Sequence, residues 1–437
     1  MIHAMIIAIL LFISGLCADS LNVHLVGYCN TPGFAYGVHV SGIYAYVVDY
    51  ENGLRIIDVS VPSSPSEIGF YDTGDWALGV FVSDTLAYVA DGFDGIRIIN
   101  VTDPYAPFEG GFYDTGDMAY GVYVLGFYAY VADRDDGLRI INIADPSSPF
   151  RAGYCYLSGT SRGVYVSDTF AYVAAGNYGL RIINVSVQSS PFEVGFYDTG
   201  SFAWAVYVSG SYAYVADDDN GLRIIDVSDP SSPFEVGFYN TTGTSRDVYV
   251  SDSFAYVADA YCGLRVINVS NASSPFEVGF YDTEGAAYGV FIYGSRAYIA
   301  DYNDGLYILD VSYFTSIEED DAARPGKFSI SAYPNPFNGN CRLMIDDCGL
   351  EINAIEIYDI NGRRVVEIPA EAGSVIPNPD RESRISGVQL DSRFHGNDNM
   401  CVREVIWQPD ETTTSGVYLV RATVGDKSVS KRVVYLK

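Results

Sequence analysis

A unit of 42 residues recurs seven times along most of this chain, and this fixed period limits the fold more than any other feature of the sequence. The pair found at Ala213-Tyr214 returns once per unit, starting at Ala45, Ala87, Ala129, Ala171, Ala213, Ala255 and Ala297. A constant period of this size is typical of solenoids and propellers. The rest of the 437-residue chain flanks the repeats.

The copy at residues 192–233 shows what each unit contains. It holds four short apolar runs separated by Gly, Asp, Ser and Pro, which favour turns; the runs are 193–199, 205–210, 212–217 and 222–227. They are apolar almost throughout rather than alternating, which is typical of strands buried on both faces. Four strands in each of seven copies predict an all-β chain that forms a seven-bladed β-propeller.

The two ends of the repeat array are incomplete in a complementary way. Residues 23–28 match the run that begins the copy described above, whereas the last copy stops after Val311. If the run at 205–210 marks the inner strand, the seventh blade lacks its outer strand. We therefore expect the N-terminal run to supply it and to close a propeller of residues 19–316, which removes an exposed sheet edge.

Arginines of the fourth run face acids of the third run across a short hairpin, and we expect them to form cross-strand ion pairs. The arginines are Arg55, Arg97, Arg139, Arg181, Arg223 and Arg265, and the acids are Asp49, Asp91, Asp133, Asp217 and Asp259. Copy four has Ala175 in place of the acid, and copy seven has Tyr307 in place of the arginine. An exposed pair contributes roughly 0.2–1 kcal/mol, whereas burying a Leu or Ile contributes roughly 1.5–3 kcal/mol, so the aliphatic side chains should place the strands.

The charge of the chain excludes one class of partner. The formal net charge is -30 at pH 7, and most of the acids lie in the repeats. The first lysine is Lys327, so the repeats lack the basic surface that contact with a phosphate backbone requires. We therefore expect no binding to nucleic acid.

Residues 1–18 are apolar, too short to span a membrane, and end in small residues, which is typical of a secretory signal peptide. Cleavage near Ala18 is favoured over lipidation of Cys17, because Leu16 stands where a lipoprotein signal has a small residue. A retained membrane anchor is the alternative. We expect a mature chain without a transmembrane span, secreted or displayed on the outer surface of a bacterial cell.

The pattern changes after the repeats. An acidic linker, residues 317–330, leads to residues 331–437, where Tyr333-Pro334-Asn335-Pro336 and several apolar runs predict a small immunoglobulin-like β-sandwich. Inside it, residues 368–402 are polar, charged and rich in Pro and Gly, and they predict a disordered insertion.

One position just before each inner strand varies while the scaffold stays uniform, and such loop positions are where binding usually occurs. The residues there are Tyr36, Leu78, Tyr120, Arg162, Trp204, Arg246 and Tyr288, and Trp76 lies two residues before Leu78. Copies four and six alone carry Thr-Ser-Arg, which places Arg162 and Arg246 among aromatic residues. These eight residues are the predicted ligand-binding site, at one mouth of the propeller channel. The alternative is that the aromatic residues only cap the packing of the blades.

No catalytic constellation is visible in the repeats, and we expect a non-catalytic chain. Their two histidines, His24 and His39, lie inside predicted strands, where packing is the commoner role. The alternative is a polysaccharide-degrading enzyme, a lyase or glycoside hydrolase, that uses paired carboxylates. Asp247 is the candidate acid, because most other copies have Gly at its position.

Acidic hairpins at 133–136, 217–220 and 302–304 offer the clustered oxygens that calcium favours. The same residues are ordinary turn residues before a Gly, which is the preferred interpretation. We therefore expect no metal and no cofactor, with calcium as the alternative.

Through the motifs at 213–217 and 221–233, residues 21–315 resemble the LVIVD-type propeller repeats of bacterial and archaeal surface proteins. The motif at 333–338 and the C-terminal strand ending in Lys437 resemble the sorting domain of type IX secretion cargo and the related flagellar-hook-cap immunoglobulin-like module. These resemblances imply a binding scaffold for an extracellular glycan, peptide or protein, carried by a module that engages the secretion machinery and anchors the chain.

Overall fold

The computed structural model describes residues 20–315 and a set of strands between residues 329 and 435. The chain divides into two compact units, Met1–Ala322 and Ala323–Lys437. Every regular element in the described residues is a β-strand, and none of them forms a helix long and apolar enough to cross a membrane. The signal peptide predicted at 1–18, Cys17 included, and most of the predicted linker lie outside the described residues.

The first unit contains seven antiparallel sheets, which are the seven blades expected from the repeats. Blade 1 consists of Gly37–Ser41, Tyr44–Val48, Leu54–Asp58 and Ser66–Tyr71. Blade 2 consists of Ala77–Ser83, Leu86–Asp91, Ile96–Asn100 and Phe108–Tyr113. Blade 3 consists of Ala119–Leu125, Tyr128–Asp133, Leu138–Asn142 and Phe150–Cys155. Blade 4 consists of Gly163–Ser167, Phe170–Ala174, Leu180–Asn184 and Phe192–Tyr197. Blade 5 consists of Ala205–Ser209, Tyr212–Ala216, Leu222–Asp226 and Phe234–Tyr239. The first strand of each blade contacts the first strands of both neighbouring blades, so these seven are the inner strands.

Blades 6 and 7 are completed by the N-terminal segment. Blade 6 consists of Asp247–Ser251, Phe254–Ala258, Leu264–Asn268, Phe276–Tyr281 and the added strand Ser20–Leu21; blade 7 consists of Ala287–Tyr293, Arg296–Asp301, Gly305–Asp310 and His24–Cys29. His24 pairs with Asp310 and Cys29 pairs with Leu306, which confirms the predicted closure of the ring. The pairing of Leu21 with Phe280 on blade 6 was not predicted.

The core consists of apolar layers between neighbouring blades. In one layer Leu180 and Ile182 of blade 4 pack against Val206 and Val215 of blade 5. Residues 213–216 in the second strand of blade 5 are all buried, since blades cover both faces of that strand. Each buried Val, Leu or Ile side chain contributes about 1.5–3 kcal/mol, so these layers supply most of the stability.

A glycine in the outer strand lets each blade meet the next. A Cβ atom on Gly195 would lie 2.2 Å from the carbonyl oxygen of Pro230, which belongs to the turn before the outer strand of the following blade. The same clash, at 2.3 Å, would occur between Gly27 and Pro62. Any side chain here would push the blades apart, and this explains the Gly of the outer strand in every copy.

The ion pairs expected across the hairpins are present in five blades, but they are buried rather than exposed. Arg139 Nε lies 3.1 Å from Asp133 Oδ2, and the corresponding distances are 3.8, 3.3, 3.9 and 3.9 Å for Arg55–Asp49, Arg97–Asp91, Arg223–Asp217 and Arg265–Asp259. These five aspartates have no exposed surface. Removing one member of such a pair leaves a buried charge without a partner, which destabilises a fold by about 3–5 kcal/mol, although desolvation offsets most of what the intact pair contributes.

Each buried aspartate also binds the preceding blade. Asp133 accepts a hydrogen bond of 2.6 Å from Thr115 Oγ1, and Thr115 follows the outer strand of blade 2. The same bond joins Thr31 to Asp49, Thr73 to Asp91, Thr199 to Asp217 and Thr241 to Asp259. Burial raises the pKa of Asp133, and the bonds from Thr115 and Arg139 oppose that rise. The sequence analysis did not identify this bond between blades.

The junction between blades 3 and 4 lacks both members of this bond. Leu157 stands where the threonine would be, Ala175 stands where the aspartate would be, and both are buried. Arg181 remains, paired with Glu193 at 3.3 Å, and its Nε is buried without a hydrogen-bond partner. The two apolar residues thus replace the polar pair together, since either polar residue alone would be buried unsatisfied.

The second unit contains two sheets. The order of the first is Ser329–Tyr333, Cys341–Asp346, Val402–Trp407, Val388–Asp391 and Arg384–Ile385, and the order of the second is Arg364–Pro369, Ala354–Asp359, Gly416–Val424 and Lys427–Tyr435. Two of these strands, Arg384–Ile385 and Val388–Asp391, fall inside the stretch for which the sequence predicts disorder. Their backbone pairing with each other and with Val402–Trp407 holds them in place. Most of that stretch lies outside the described residues, and an immunoglobulin-like sandwich stays a prediction.

Blade 4 offers a test of the bond between blades. We predict that Ala175→Asp lowers the free energy of unfolding by about 1–3 kcal/mol, because the new carboxylate would be buried beside Leu157. Adding Leu157→Thr should recover most of this loss, since the introduced hydroxyl and Arg181 would then satisfy the carboxylate. Urea denaturation of the two variants, with Leu157→Thr alone as control, gives the coupling energy. Additive effects would contradict this account of the bond.

Candidate ligand-binding site at the channel mouth

A cavity of about 210 Å³ lies on the propeller axis, where the seven inner strands begin. Seven of the eight predicted site residues line it: Tyr36, Leu78, Tyr120, Arg162, Trp204, Arg246 and Tyr288. Trp76 does not; its ring stacks on Tyr50 at 5.1 Å and lies 6.2 Å from Phe93, farther out on the same face. The structure therefore brings the predicted ring of residues together around one cavity.

Backbone pairing fixes where these side chains project. The amide of Arg162 donates to the carbonyl of Ala174 at 2.8 Å, so Arg162 is still held beside the second strand of its blade. The next residue is Gly163, where a Cβ would lie 2.9 Å from the Cα of Ala205 in blade 5. A small residue at the position of Gly163 lets neighbouring inner strands approach each other. The larger side chains one residue earlier surround the opening of the cavity.

Arg162 is the one cavity-lining cation without an acidic partner among residues 20–315. Its guanidinium lies 3.7 Å from the ring centre of Tyr120 and 4.6 Å from that of Trp204. Its Nε is buried without a hydrogen-bond partner. Burial lowers the pKa of Arg162, yet arginine stays protonated in proteins. A desolvated charge held by aromatic rings is thus left to interact with a ligand.

Arg246 has a different environment. Its guanidinium lies 4.2 Å from the ring centre of Trp204, and its Nη1 lies 3.6 Å from Asp218 Oδ1. Asp218 also accepts a hydrogen bond of 3.3 Å from the indole of Trp204. The sequence treats the two arginines as equivalent, but Arg246 is neutralised by Asp218. The indole contacts both guanidinium groups, so it orders them instead of offering two free faces to a ligand.

Asp247 is the one carboxylate among the residues that line the cavity. It accepts hydrogen bonds from the amide of Val290 at 2.9 Å and from its own neighbour Val248 at 2.8 Å. Burial raises the pKa of Asp247 to about 6, against the effect of those two bonds. A paired-carboxylate mechanism needs a second acid, and no other acid lines the cavity among the described residues.

The sequence analysis missed a group of aromatic residues beside the cavity. The ring centre of Tyr50 lies 5.8 Å from that of Tyr36, and Tyr302 lies 4.8 Å from Tyr288 and 4.3 Å from Phe34. Tyr50 has a positive φ of 53°, which is uncommon for a bulky residue. The signal was available, because Tyr50 and Tyr302 occupy the hairpin position that follows the buried aspartate, where the residue type varies between copies.

A second missed feature is a ring of aromatic side chains around the channel beneath the cavity. Each inner strand contributes one aromatic ring, and neighbouring ring centres lie 4.5–5.2 Å apart all around the axis, through His39, Phe81, Tyr123, Tyr165, Tyr207, Tyr249 and Phe291. Burial lowers the pKa of His39 to about 4, so this histidine is neutral at pH 7. The rings surround the channel and narrow it beneath the cavity.

The acidic hairpins engage protein groups. Asp133 and Asp136 both contact Arg139, and Asp217 accepts hydrogen bonds from Thr199 and Asn220. Within residues 20–315 and the described strands beyond them, no three His, Cys, Asp or Glu side chains group in a way that could hold a metal ion.

The similarity to solved structures shows the fold alone. The computationally designed Ika8 protein matches with a TM-score of 0.52 and 5% identity, over 66% of this chain and 99% of that one. The β-propeller domain of Cps50 (Swd1) from Myceliophteria thermophila matches with a TM-score of 0.53 and 10% identity, over 66% and 99% of the two chains. No curated protein matches this sequence.

The model of the LVIVD repeat matches seven consecutive segments of the chain. They are residues 32–73, 76–115, 116–156, 158–199, 200–241, 242–283 and 284–320. Together they span more than half of the sequence and agree with the seven blades, apart from the N-terminal strand that closes the ring. The chain therefore belongs to the LVIVD repeat family.

Proposed function

We propose that this protein is a non-catalytic binding scaffold whose central cavity takes the carboxylate at the end of an extracellular ligand. The observation that carries the proposal is the environment of Arg162. This half-buried cation lines a cavity open at the mouth, has no acidic partner in the described residues, and has a buried Nε without a hydrogen-bond partner. An arginine fork matches the two oxygens of a carboxylate, and such charge-assisted hydrogen bonds are about twice as strong as neutral ones.

The size and charge of the cavity support this class of ligand. Its volume of about 210 Å³ is smaller than the roughly 300–1,000 Å³ of pockets that enclose a whole drug-sized ligand. An end group therefore fits better than a polymer threaded through the ring of blades, since aromatic side chains narrow the channel beneath the cavity. One unpaired cation in a cavity that Asp247 also lines favours a singly charged carboxylate over a doubly charged phosphate.

We further propose that residues 1–18 direct export and that residues 331–437 hold the protein at the cell surface. The support is the sequence: a short apolar N-terminal run, and the resemblance of the C-terminal motifs to a sorting module. The division of the chain into two compact units is consistent with separate recognition and location.

Arg162→Ala should weaken binding of N-acetylglycine, a small carboxylate probe, by about 10–100-fold, since a hydrogen bond to a charged group contributes roughly 1.5–3 kcal/mol. Isothermal titration calorimetry gives the affinities. Arg151→Ala is the matched control, because Arg151 is exposed on an outer strand and stacks on Tyr154 instead of lining the cavity. Full affinity in Arg162→Ala would place the carboxylate elsewhere.

Binding of the same probe should depend on pH through Asp247. Below about pH 6 Asp247 is protonated, because its pKa is raised, and it then no longer repels the probe, whose own carboxyl group stays ionised at pH 5. We expect roughly tenfold tighter binding at pH 5 than at pH 7.5. Asp247→Asn should abolish this difference, and Asp252→Asn, on an exposed turn of the same blade, should keep it. An unchanged pH profile in Asp247→Asn would exclude this role.

Deleting residues 331–437 should leave the propeller folded and move the protein from the cell surface to the medium. Cell fractionation of strains that express the full and the shortened chains tests this change of location. The melting temperature of the purified proteins checks that the propeller is folded in both. Surface display of the shortened chain at the full level would refute the anchoring role.

A further inference from the structure

The mouth of the propeller is not uniform around its circumference. An arc of aromatic side chains occupies blades 7, 1 and 2, and it consists of Tyr288, Tyr302, Phe34, Tyr36, Tyr50 and Trp76. The charged groups Arg162, Arg246 and Asp218 belong to blades 4, 5 and 6. A ligand bound through its carboxylate to Arg162 therefore has an apolar surface on the opposite side of the same opening.

The arc adjoins the cavity. Tyr36 and Tyr288 line the cavity together with Arg162, and their ring centres are 5.0 Å apart. From Tyr36 the arc continues outward through Tyr50, at 5.8 Å, and then Trp76, at a further 5.1 Å. A group attached to the carboxylate by a few bonds thus reaches the arc without leaving the mouth.

The relative orientation of the rings indicates which kind of chemical group the arc accepts. Tyr50 lies nearly parallel to Tyr36 and to Trp76, with interplanar angles of 19° and 16°, and Phe34 lies parallel to Tyr302 at 7°. Each of these rings therefore turns one face toward a neighbouring ring, which leaves less open face for a ligand. A sugar ring stacks on an open aromatic face, whereas an aromatic side chain packs favourably against ring edges. The arc therefore suits an aromatic side chain better than a sugar.

The backbone conformation of Tyr50 is shared by the same hairpin position in other copies. Tyr50 adopts a φ of 53°, Gly92 and Gly176 have φ values of 55° and 56°, and Arg134, Asp218 and Ala260 have values of 40°, 48° and 45°. Because this conformation belongs to the repeat, the residue type can change there without moving the hairpin. Blade 1 carries a tyrosine at this position, and its ring lies in the arc.

We propose that the aromatic arc is a second subsite, which selects ligands whose terminal carboxylate carries an aromatic side chain, namely the C-terminal end of a peptide or protein. This inference rests on the proposed function, since the carboxylate is held by Arg162. It adds the class of the ligand: a peptide end, recognised by its charge on one side of the mouth and by its last side chain on the other.

The test compares four probes by calorimetry: N-acetyl-L-phenylalanine, its amide, N-acetylglycine and glucuronic acid. We expect N-acetyl-L-phenylalanine to bind about tenfold more tightly than N-acetylglycine, because of its edge contacts with the arc. The amide should bind weakly because it lacks the charge. Glucuronic acid binding as tightly as N-acetyl-L-phenylalanine would overturn the assignment and favour a glycan.

The variant Tyr50→Gly tests the arc itself. It leaves the hairpin with the residue found in blades 2 and 4, so the fold should persist, and it should remove the preference for N-acetyl-L-phenylalanine over N-acetylglycine. Ala260→Gly is the control, because Ala260 has the same hairpin conformation, φ 45°, in a blade outside the arc. An unchanged preference for N-acetyl-L-phenylalanine in Tyr50→Gly would refute the arc as a subsite but would leave the carboxylate site at Arg162 standing. Loss of all carboxylate binding would instead contradict the placement of the anion at Arg162.

Discussion

The hydrogen bond from a threonine of one blade to a buried aspartate of the next fixes the arrangement of neighbouring blades at five junctions of the ring. Apolar layers favour any close packing of the blades, but they do not fix one blade against another. A buried carboxylate does fix one blade against another, because burying its charge costs free energy unless its hydrogen-bond and ion-pair partners are in place. Asp133 meets this requirement with Thr115 from the preceding blade and Arg139 from its own. Blade 4 shows the alternative, since it drops threonine and aspartate together.

Because the core and these bonds fix the ring, the residues at its mouth are free to differ between copies. The position before each inner strand lines the cavity, and the first position of the hairpin lies beside it in blades 1, 5 and 7. Arg162, Tyr50 and Asp218 all occupy such positions. The cavity is therefore asymmetric although the ring has nearly sevenfold symmetry, with a cation on one side and aromatic edges on the other. Recognition depends on a few substitutions in a repeated scaffold.

The period of the sequence was enough to predict the seven blades, because a repeat of four apolar runs must bury both faces of its strands. With the usual order of strands in a propeller blade, it also predicted closure by the N-terminal run, expected at residues 23–28 and observed at His24–Cys29. It also identified seven residues that line the cavity. It could not show that Asp218 neutralises Arg246, since that pairing joins two different blades. Variation at the hairpin position of Tyr50 was visible in the sequence, but the stacking of Tyr50 between Tyr36 and Trp76 was not, because it joins residues of two blades.

A chain with a net charge of -30 repels anions, and this condition decides how a carboxylate site can work. At physiological salt, charges more than about 8 Å apart are largely screened, so the repulsion slows the approach of an anion more than it weakens the bound state. Inside the cavity the local groups dominate, and Arg162 is charged, desolvated and already held by Tyr120 and Trp204. Little ordering remains to be done when the ligand arrives. A preformed cation, rather than an attractive surface, is what lets this acidic propeller hold an acidic group.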